Sequence, residues 1–303
     1  LPETDFVSGP DQHTQGVPER ITTREGRPLH AMVLPGPPGT IAPTVVFEAG
    51  AAATRSSWGL VQPAVGLFAR AVVYDRAGLG RSPADPAGRA LDRIAGDLAD
   101  VLDHFGPGPF VLVGHSAGGV VARLAACRRP ARIRGLVLVD PTDEATDLLF
   151  GAAIRRVERL TLVVHSALAR LGLLGSMYRS MLNAVPADVR RDMEREAFTP
   201  GAMRTQSVQA RTFLDELATW RDDPPELGAI PVTVISGGRA GDGMTARIRA
   251  AANAAHAHRA AVSPAGRHVL APASGHYVPL TEPDLVVEEI RRLTTARWAP
   301  TRP

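Results

Sequence analysis

The sequence predicts an α/β chain: a mostly parallel sheet flanked by helices, with a helical insertion between two late strands. Three observations predict it. Short, continuously apolar runs alternate with stretches of helical spacing, as expected of strands buried on both faces between helices. From residue 142 to 225 the alternation stops and only helical signals remain. A serine between glycines, in "VLVGHSAGGVV", sits where an apolar run gives way to a helix.

Residues 1–19 are polar and rich in Pro, Gly and Gln, and read as a flexible N-terminal arm. "RPLHAMVLPG" alternates like an early strand, "GPPGTIAP" is a turn, and "TVVFEAG" and "ARAVVYDRAG" are apolar strands. "LDRIAGDLADVLDHFG" has helical spacing through Leu91, Ile94, Leu98, Leu102 and Phe105, with Gly106 as its stop. "FVLVGHS" is a strand, "AGGVVARLAACRRP" a helix ended by Pro130, and "IRGLVLVD" the next strand. Two helices stand out beyond Pro141, "IRRVERLTLVVHSALARLGLL" and "VQARTFLDELATW". The strand pattern returns in "IPVTVISG", followed by a helix in "MTARIRAAANAAHAHRAA", a strand in "RHVLAPASGH" and a last helix in "EPDLVVEEIRRLTTARW". The expected organisation is a core of residues 20–141 and 226–303, and a helical cap insertion over 142–225. An insertion there would cover the C-terminal edge of the sheet, where open α/β sheets bind ligands.

Composition narrows the chemistry. All 34 basic residues are arginine. Without lysine there is no Schiff-base or pyridoxal-phosphate anchor and no phosphate-loop lysine. The net charge is only +3, with arginines scattered along the chain, so no nucleic-acid partner is expected. Cys127 is the only cysteine, which excludes an intramolecular disulfide and argues against a cysteine-based metal site. No apolar run is long enough for a stable membrane span. The arginine- and alanine-rich composition suggests GC-rich, bacterial coding. The chain begins at Leu1, and both a cytoplasmic and a secreted protein fit. Oligomeric state is not legible.

Gly114-His115-Ser116-Ala117-Gly118 matches G-x-S-x-G. A tight strand-to-helix turn holds such a serine in a strained backbone. Glycines two residues away avoid a clash, Oγ projects beyond the sheet, and the next N–H faces a developing oxyanion. With this elbow, "FEAG", "YDRAGLGRS" and "SGHYVPLTEPDLV", the chain resembles the α/β-hydrolase superfamily from about residue 20 to residue 298. The resemblance implies an eight-stranded sheet, a helical cap, no cofactor and no metal. It also implies catalytic residues in the order serine, acid, histidine, with Ser116 as nucleophile.

The base is expected on a late loop, where "ASGHYVPL" supplies His276. His256 and His258 read as helix-surface positions, His268 as the start of the last strand, His115 as structural, and His165 as a helix-packing or pocket residue. The acid has two candidates. The family pattern G-x-x-D after the seventh strand meets Ala240 in "ISGGRAGDGM", and Asp242 comes two residues late. Asp140 ends "GLVLVD", the position some branches use, including haloalkane dehalogenases and certain lactone hydrolases. Asp140 is preferred, Asp242 stays open, and Asp143 and Glu144 are outside choices. The oxyanion donors are expected at Ala117 and Ala51, with Ala52 the neighbour most easily confused with Ala51. Glu48 is expected to orient this loop or to approach the histidine, and Asp75 and Arg76 to hold the turn after the fourth strand.

The resulting expectation is a serine esterase or lactonase forming an acyl-enzyme with a small-molecule substrate. Leu160, Leu162, Val163, Val164, Leu168, Leu171, Leu173, Leu174, Met177 and Met181 in the insertion suggest an apolar substrate. The same residues would also serve a cyclase, acyltransferase or lyase of specialised metabolism. A ligand-binding protein that has lost catalysis is a third reading.

Overall fold

The computed structural model describes residues 13–295. Eight strands form one sheet: β1 (Val17–Thr22), β2 (Pro28–Leu34), β3 (Thr44–Glu48), β4 (Ala71–Tyr74), β5 (Phe110–His115), β6 (Ile133–Val139), β7 (Val232–Gly237) and β8 (Gly266–Ala271). Their order is β1-β2-β4-β3-β5-β6-β7-β8. β1 pairs antiparallel with β2, and β2 with β4. Every later pairing is parallel. β1 begins at Val17, inside the stretch read from sequence as an arm. Thr14 already donates to Asp188 from both its N–H and its hydroxyl. Residues 1–12 lie outside the described residues.

The central strands alternate between two cores. Phe110 and Leu112 of β5 and Leu136 and Leu138 of β6 face one side, with Leu98, Leu102 and Val120 from helices Leu91–His104 and Ala117–Arg128. Val111, Val113, Val137 and Val139 face the other, with Val65 and with Ile290 of helix Pro283–Thr295. Burial on both faces explains why these strands read as unbroken apolar runs rather than alternating ones. β3 lies between β4 and β5, so the connections leave it in opposite directions. The loops after β3 and β5 therefore part at a topological switch point, the usual ligand crevice of such sheets.

Between β6 and β7 the described residues contain helices only, chiefly Ala152–Arg170, Ala187–Glu196 and Pro200–Gln209. This stretch packs on the rest through two small clusters, one including Leu79 and the other Leu280, and through Phe213, Leu214, Leu217 and Trp220, which join the first of the two cores. A buried ion network also ties helix Ala187–Glu196 to the body. Arg55 reaches Asp75 at 2.6 Å, Asp192 at 2.5 Å and Glu196 at 2.5 Å. Asp75 is thus structural, as its sequence context suggests. Among the described residues, no helix is long and apolar enough to cross a membrane.

Candidate active site

Ser116 leaves the end of β5 with φ 53° and ψ −125° and begins helix Ala117–Arg128. The turn is so tight that a Cβ at Gly114 would lie 2.6 Å from Gly118 O, and one at Gly118 would overlap Glu48 O. Those are the steric conditions inferred for a strand–helix elbow. Ala117 is the first helical residue, so its N–H belongs to the end of a helix that lacks internal acceptors.

The loop after β3 runs against the serine: a Cβ at Gly50 would lie 3.4 Å from Ser116 Cβ. Gly50, Ala51 and Ala52 line the same cleft as Ser116 and His276. A fully buried pair fixes this loop from below. Arg76 donates to Glu48 at 2.7 Å, to Ala49 O at 2.7 Å and to Gly50 O, and the Tyr74 hydroxyl donates to the other Glu48 oxygen. Burial pushes the Glu48 carboxyl up, opposed by Arg76 and Tyr74. Of the two sequence expectations for Glu48, the contacts are those of a loop-orienting residue.

His276 Nδ1 lies 2.6 Å from Asp140 Oδ2, across 136 residues of chain. The other carboxylate oxygen accepts from Gly237 N at 3.0 Å and from Arg249 Nη1 at 2.5 Å. Burial would raise the Asp140 carboxyl. The His276 hydrogen bond and charge, and then Arg249, outweigh it and hold Asp140 well below the usual carboxylate range. Asp242 also lines the cleft, but its carboxylate accepts the backbone N–H of His276 at 2.9 Å and so orients the loop, not the ring. Asp143 and Glu144 are engaged elsewhere. Asp143 accepts from Arg259 at 2.9 Å, and Glu144 from Arg123 at 2.6 and 2.7 Å. Among the described residues no hydrogen bond joins Ser116 Oγ to His276; the two side chains share the cleft wall. Such contacts often tighten only with substrate bound.

His115 is buried at the wall of the cleft. Its Nε2 donates to His276 O at 2.9 Å, and its ring centroid lies 4.7 Å from that of His276. Burial, then the charge of His276, pushes its pKa down to about 3, so it stays neutral. The expectation of a surface position holds for exposed His258 but not for His256. His256 is buried because both ring nitrogens find partners: Ser236 Oγ at 2.7 Å and Pro141 O at 2.7 Å. His268 Nε2 meets the same serine hydroxyl at 2.8 Å.

The cleft holds about 650 Å3. Its outer wall comes from the helical stretch between β6 and β7, including Met177, Met181, Met193, Met203, Tyr178 and Phe198. His165 lines it too. Of the ten apolar residues singled out from sequence, Leu174, Met177 and Met181 reach the cleft. Leu160, Val163, Val164, Leu171 and Leu173 face outward instead. Met193, Met203 and Arg249 escape a reading of sequence. Met193 and Met203 carry no signal beyond helical spacing, and Arg249 meets Asp140 across 109 residues.

The non-glycine residues with left-handed φ, among the described residues, are Ala52, Ser116, Asp140 and Asp242. Ala52, Ser116 and Asp242 line the cleft, and Asp140 holds the ring of His276. Strained backbone that gathers at one place marks a functional site.

Comparison with known proteins bears on the fold and the family. Esterase Rv0045c of Mycobacterium tuberculosis (strain ATCC 25618 / H37Rv) is 29% identical over 269 residues, spanning 86% of this chain and 85% of that protein. Two solved structures share the fold at 20% identity: epoxide hydrolase CorEH (TM-score 0.70, 91% of this chain and 98% of that one) and Cfl2 from Burkholderia cenocepacia (TM-score 0.68, 95% and 98%). The profile of the alpha/beta hydrolase family matches residues 45–289, and the chain belongs to that family.

Proposed function

We propose that the protein is a serine hydrolase that cleaves carboxylic esters or lactones of fairly apolar small molecules. The observation that carries this reading is the pairing of the His276 ring with Asp140, 2.6 Å apart, on the cleft that also exposes Ser116. In the proposed reaction Asp140 accepts the Nδ1 proton, which leaves Nε2 unprotonated to act as base. Nε2 takes the proton from Ser116 Oγ as the oxygen attacks the substrate carbonyl. The resulting oxyanion is held by the N–H groups of Ala51 and Ala117. Collapse expels the alcohol, which takes the proton from His276. Water then attacks the acyl-serine with His276 again as base, and the acid and free Ser116 are released.

Residues 142–225 act in this reading as a cap on the core. Its four cleft-lining methionines provide an adaptable apolar wall for an acyl or alcohol group. A fluorophosphonate probe tests the nucleophile. It should label the native chain and leave Ser116→Ala unlabelled; a native chain that resists the probe at neutral pH rejects the assignment. Incorporation of ¹⁸O from water into the product acid separates hydrolysis from cyclisation or acyl transfer.

A further inference from the structure

The outer face of the stretch between β6 and β7 is unusually apolar. Thirteen large hydrophobic residues are exposed among the described residues, and seven of them fall between residues 157 and 177. Val157, Leu160, Val164 and Leu171 recur at intervals of three, four and seven, along one side of helix Ala152–Arg170 and its end. Their exposure runs from 44% at Val164 to 69% at Leu171. Leu173 and Met177 extend the patch, and Met177 also lines the cleft. The same helix turns Thr161 and His165 into the cleft, so the patch is a rim of the cleft mouth. A contiguous apolar surface of this kind marks an interaction site.

Charge selects the partner. Residues 152–184 contain five arginines and one acid, Glu158, within a chain whose net charge is only +3. Arg155 is paired with Asp215 at 2.7 Å, whereas Arg156, Arg159, Arg170 and Arg179 are exposed and meet no carboxylate among the described residues. A second copy docking face to face would bring arginine against arginine. An apolar stripe edged by cations instead matches an interface of acyl chains beneath anionic headgroups.

We propose that this face docks on an anionic lipid surface and that esters dissolved in that surface enter the cleft directly. The docking is peripheral: the apolar stripe enters the acyl boundary while the helix lies in the interface plane. The substrate half of the proposal rests on the esterase reading above, and the docking half does not.

The test is flotation of the full chain carrying Ser116→Ala with vesicles of phosphatidylglycerol and phosphatidylcholine in equal parts, and with phosphatidylcholine alone. Binding should favour the anionic vesicles and weaken as salt is raised from about 0.1 to 1 M. Val157→Ser/Leu160→Ser/Leu171→Ser and, separately, Arg156→Glu/Arg159→Glu should each lose roughly tenfold in binding. These residues do not line the cleft, so turnover of a short soluble ester by the same variants in an otherwise native chain should be unchanged. That turnover also reports that the variants are folded. Failure to float with anionic vesicles overturns the proposal, as does equal binding by the triple variant. A native dimer in sedimentation velocity that the triple variant abolishes would assign the patch to a second copy instead. If docking holds and the soluble ester is turned over but vesicle-borne esters are not, the substrate half fails and the docking site stands; if the native chain cleaves neither ester, it is the esterase reading that fails.

Discussion

Arg249 offers the sharpest test of the site. Its guanidinium, 4% exposed, donates to Asp140 Oδ1 at 2.5 Å while His276 Nδ1 bonds Oδ2 at 2.6 Å. One carboxylate therefore lies between a permanent cation and a ring that becomes cationic in the proposed reaction. The two contacts put the guanidinium roughly 7 Å from the imidazole, where an effective dielectric constant near 20 gives about 2 kcal/mol of repulsion. Arg249→Met keeps much of the volume and removes the charge. Removing that repulsion is worth between about one and two pH units. Because turnover requires the neutral ring, the acid limb of the kcat/KM profile should move up by the same amount, with activity at low pH lost first. The other charged or titratable neighbours, His256, His115 and Asp242, are retained in the variant, and Arg249→Lys should restore most of the native profile. The assay is p-nitrophenyl ester turnover from pH 4 to 9, alongside circular dichroism to confirm folding. An unshifted acid limb in a folded variant would refute the claim that Asp140 and Arg249 act on the catalytic ring.

Three further outcomes are expected. Asp140→Asn should lower kcat by on the order of 10⁴, because the amide cannot fix the productive tautomer, whereas Asp242→Asn keeps an acceptor for the His276 N–H and should lose far less; the same ester assay ranks them. Arg76→Met leaves Glu48 buried without its cation and frees two loop carbonyls, and should cost about 3–5 kcal/mol in urea unfolding. That deficit should shrink as the pH falls, since protonated Glu48 needs no cation. His115 stays neutral in the folded chain down to about pH 3 but protonates when unfolded below about 6.5. The unfolded state then binds the extra proton, so stability is full above pH 6.5 and falls with acidification at about 1.4 kcal/mol per unit from this group. His115→Gln should flatten the measured slope of unfolding free energy by that amount.

The parts of the site that are local in sequence are the parts legible from it. The elbow at Ser116 requires glycines at fixed offsets, so its sterics are written in five consecutive residues. The parallel core is legible for a similar reason, since strands such as Val111–Val113 and Leu136–Val139 are buried on both faces. The acid is different. Whether Asp140 or Asp242 meets the imidazole depends on how loops from three strands converge, and the two aspartates divide the histidine between them: Asp140 takes the ring and Asp242 the backbone N–H. Arg249 is invisible because its helix is otherwise mostly alanine and its partner is distant in sequence. His256 misleads because helical spacing cannot reveal Ser236 and Pro141 as partners. The apolar residues of helix Ala152–Arg170 mislead for a related reason. Periodicity reports that a helix has an apolar face, not what covers it.

The four left-handed residues around the cleft have a consequence for stability. Each holds a conformation that costs roughly 1–3 kcal/mol for a residue with a side chain. Glycine would relieve it at every one of these positions, and at Ser116 it would also remove the proposed nucleophile. Ser116→Gly should therefore melt at a higher temperature than Ser116→Ala, even though both are inert. Glycine at Asp140 would instead leave the buried Arg249 without its carboxylate, so the net gain is confined to positions such as Ser116 whose side chains hold no buried charge. Serine at position 116 therefore carries a standing cost in stability, which its proposed role as nucleophile offsets.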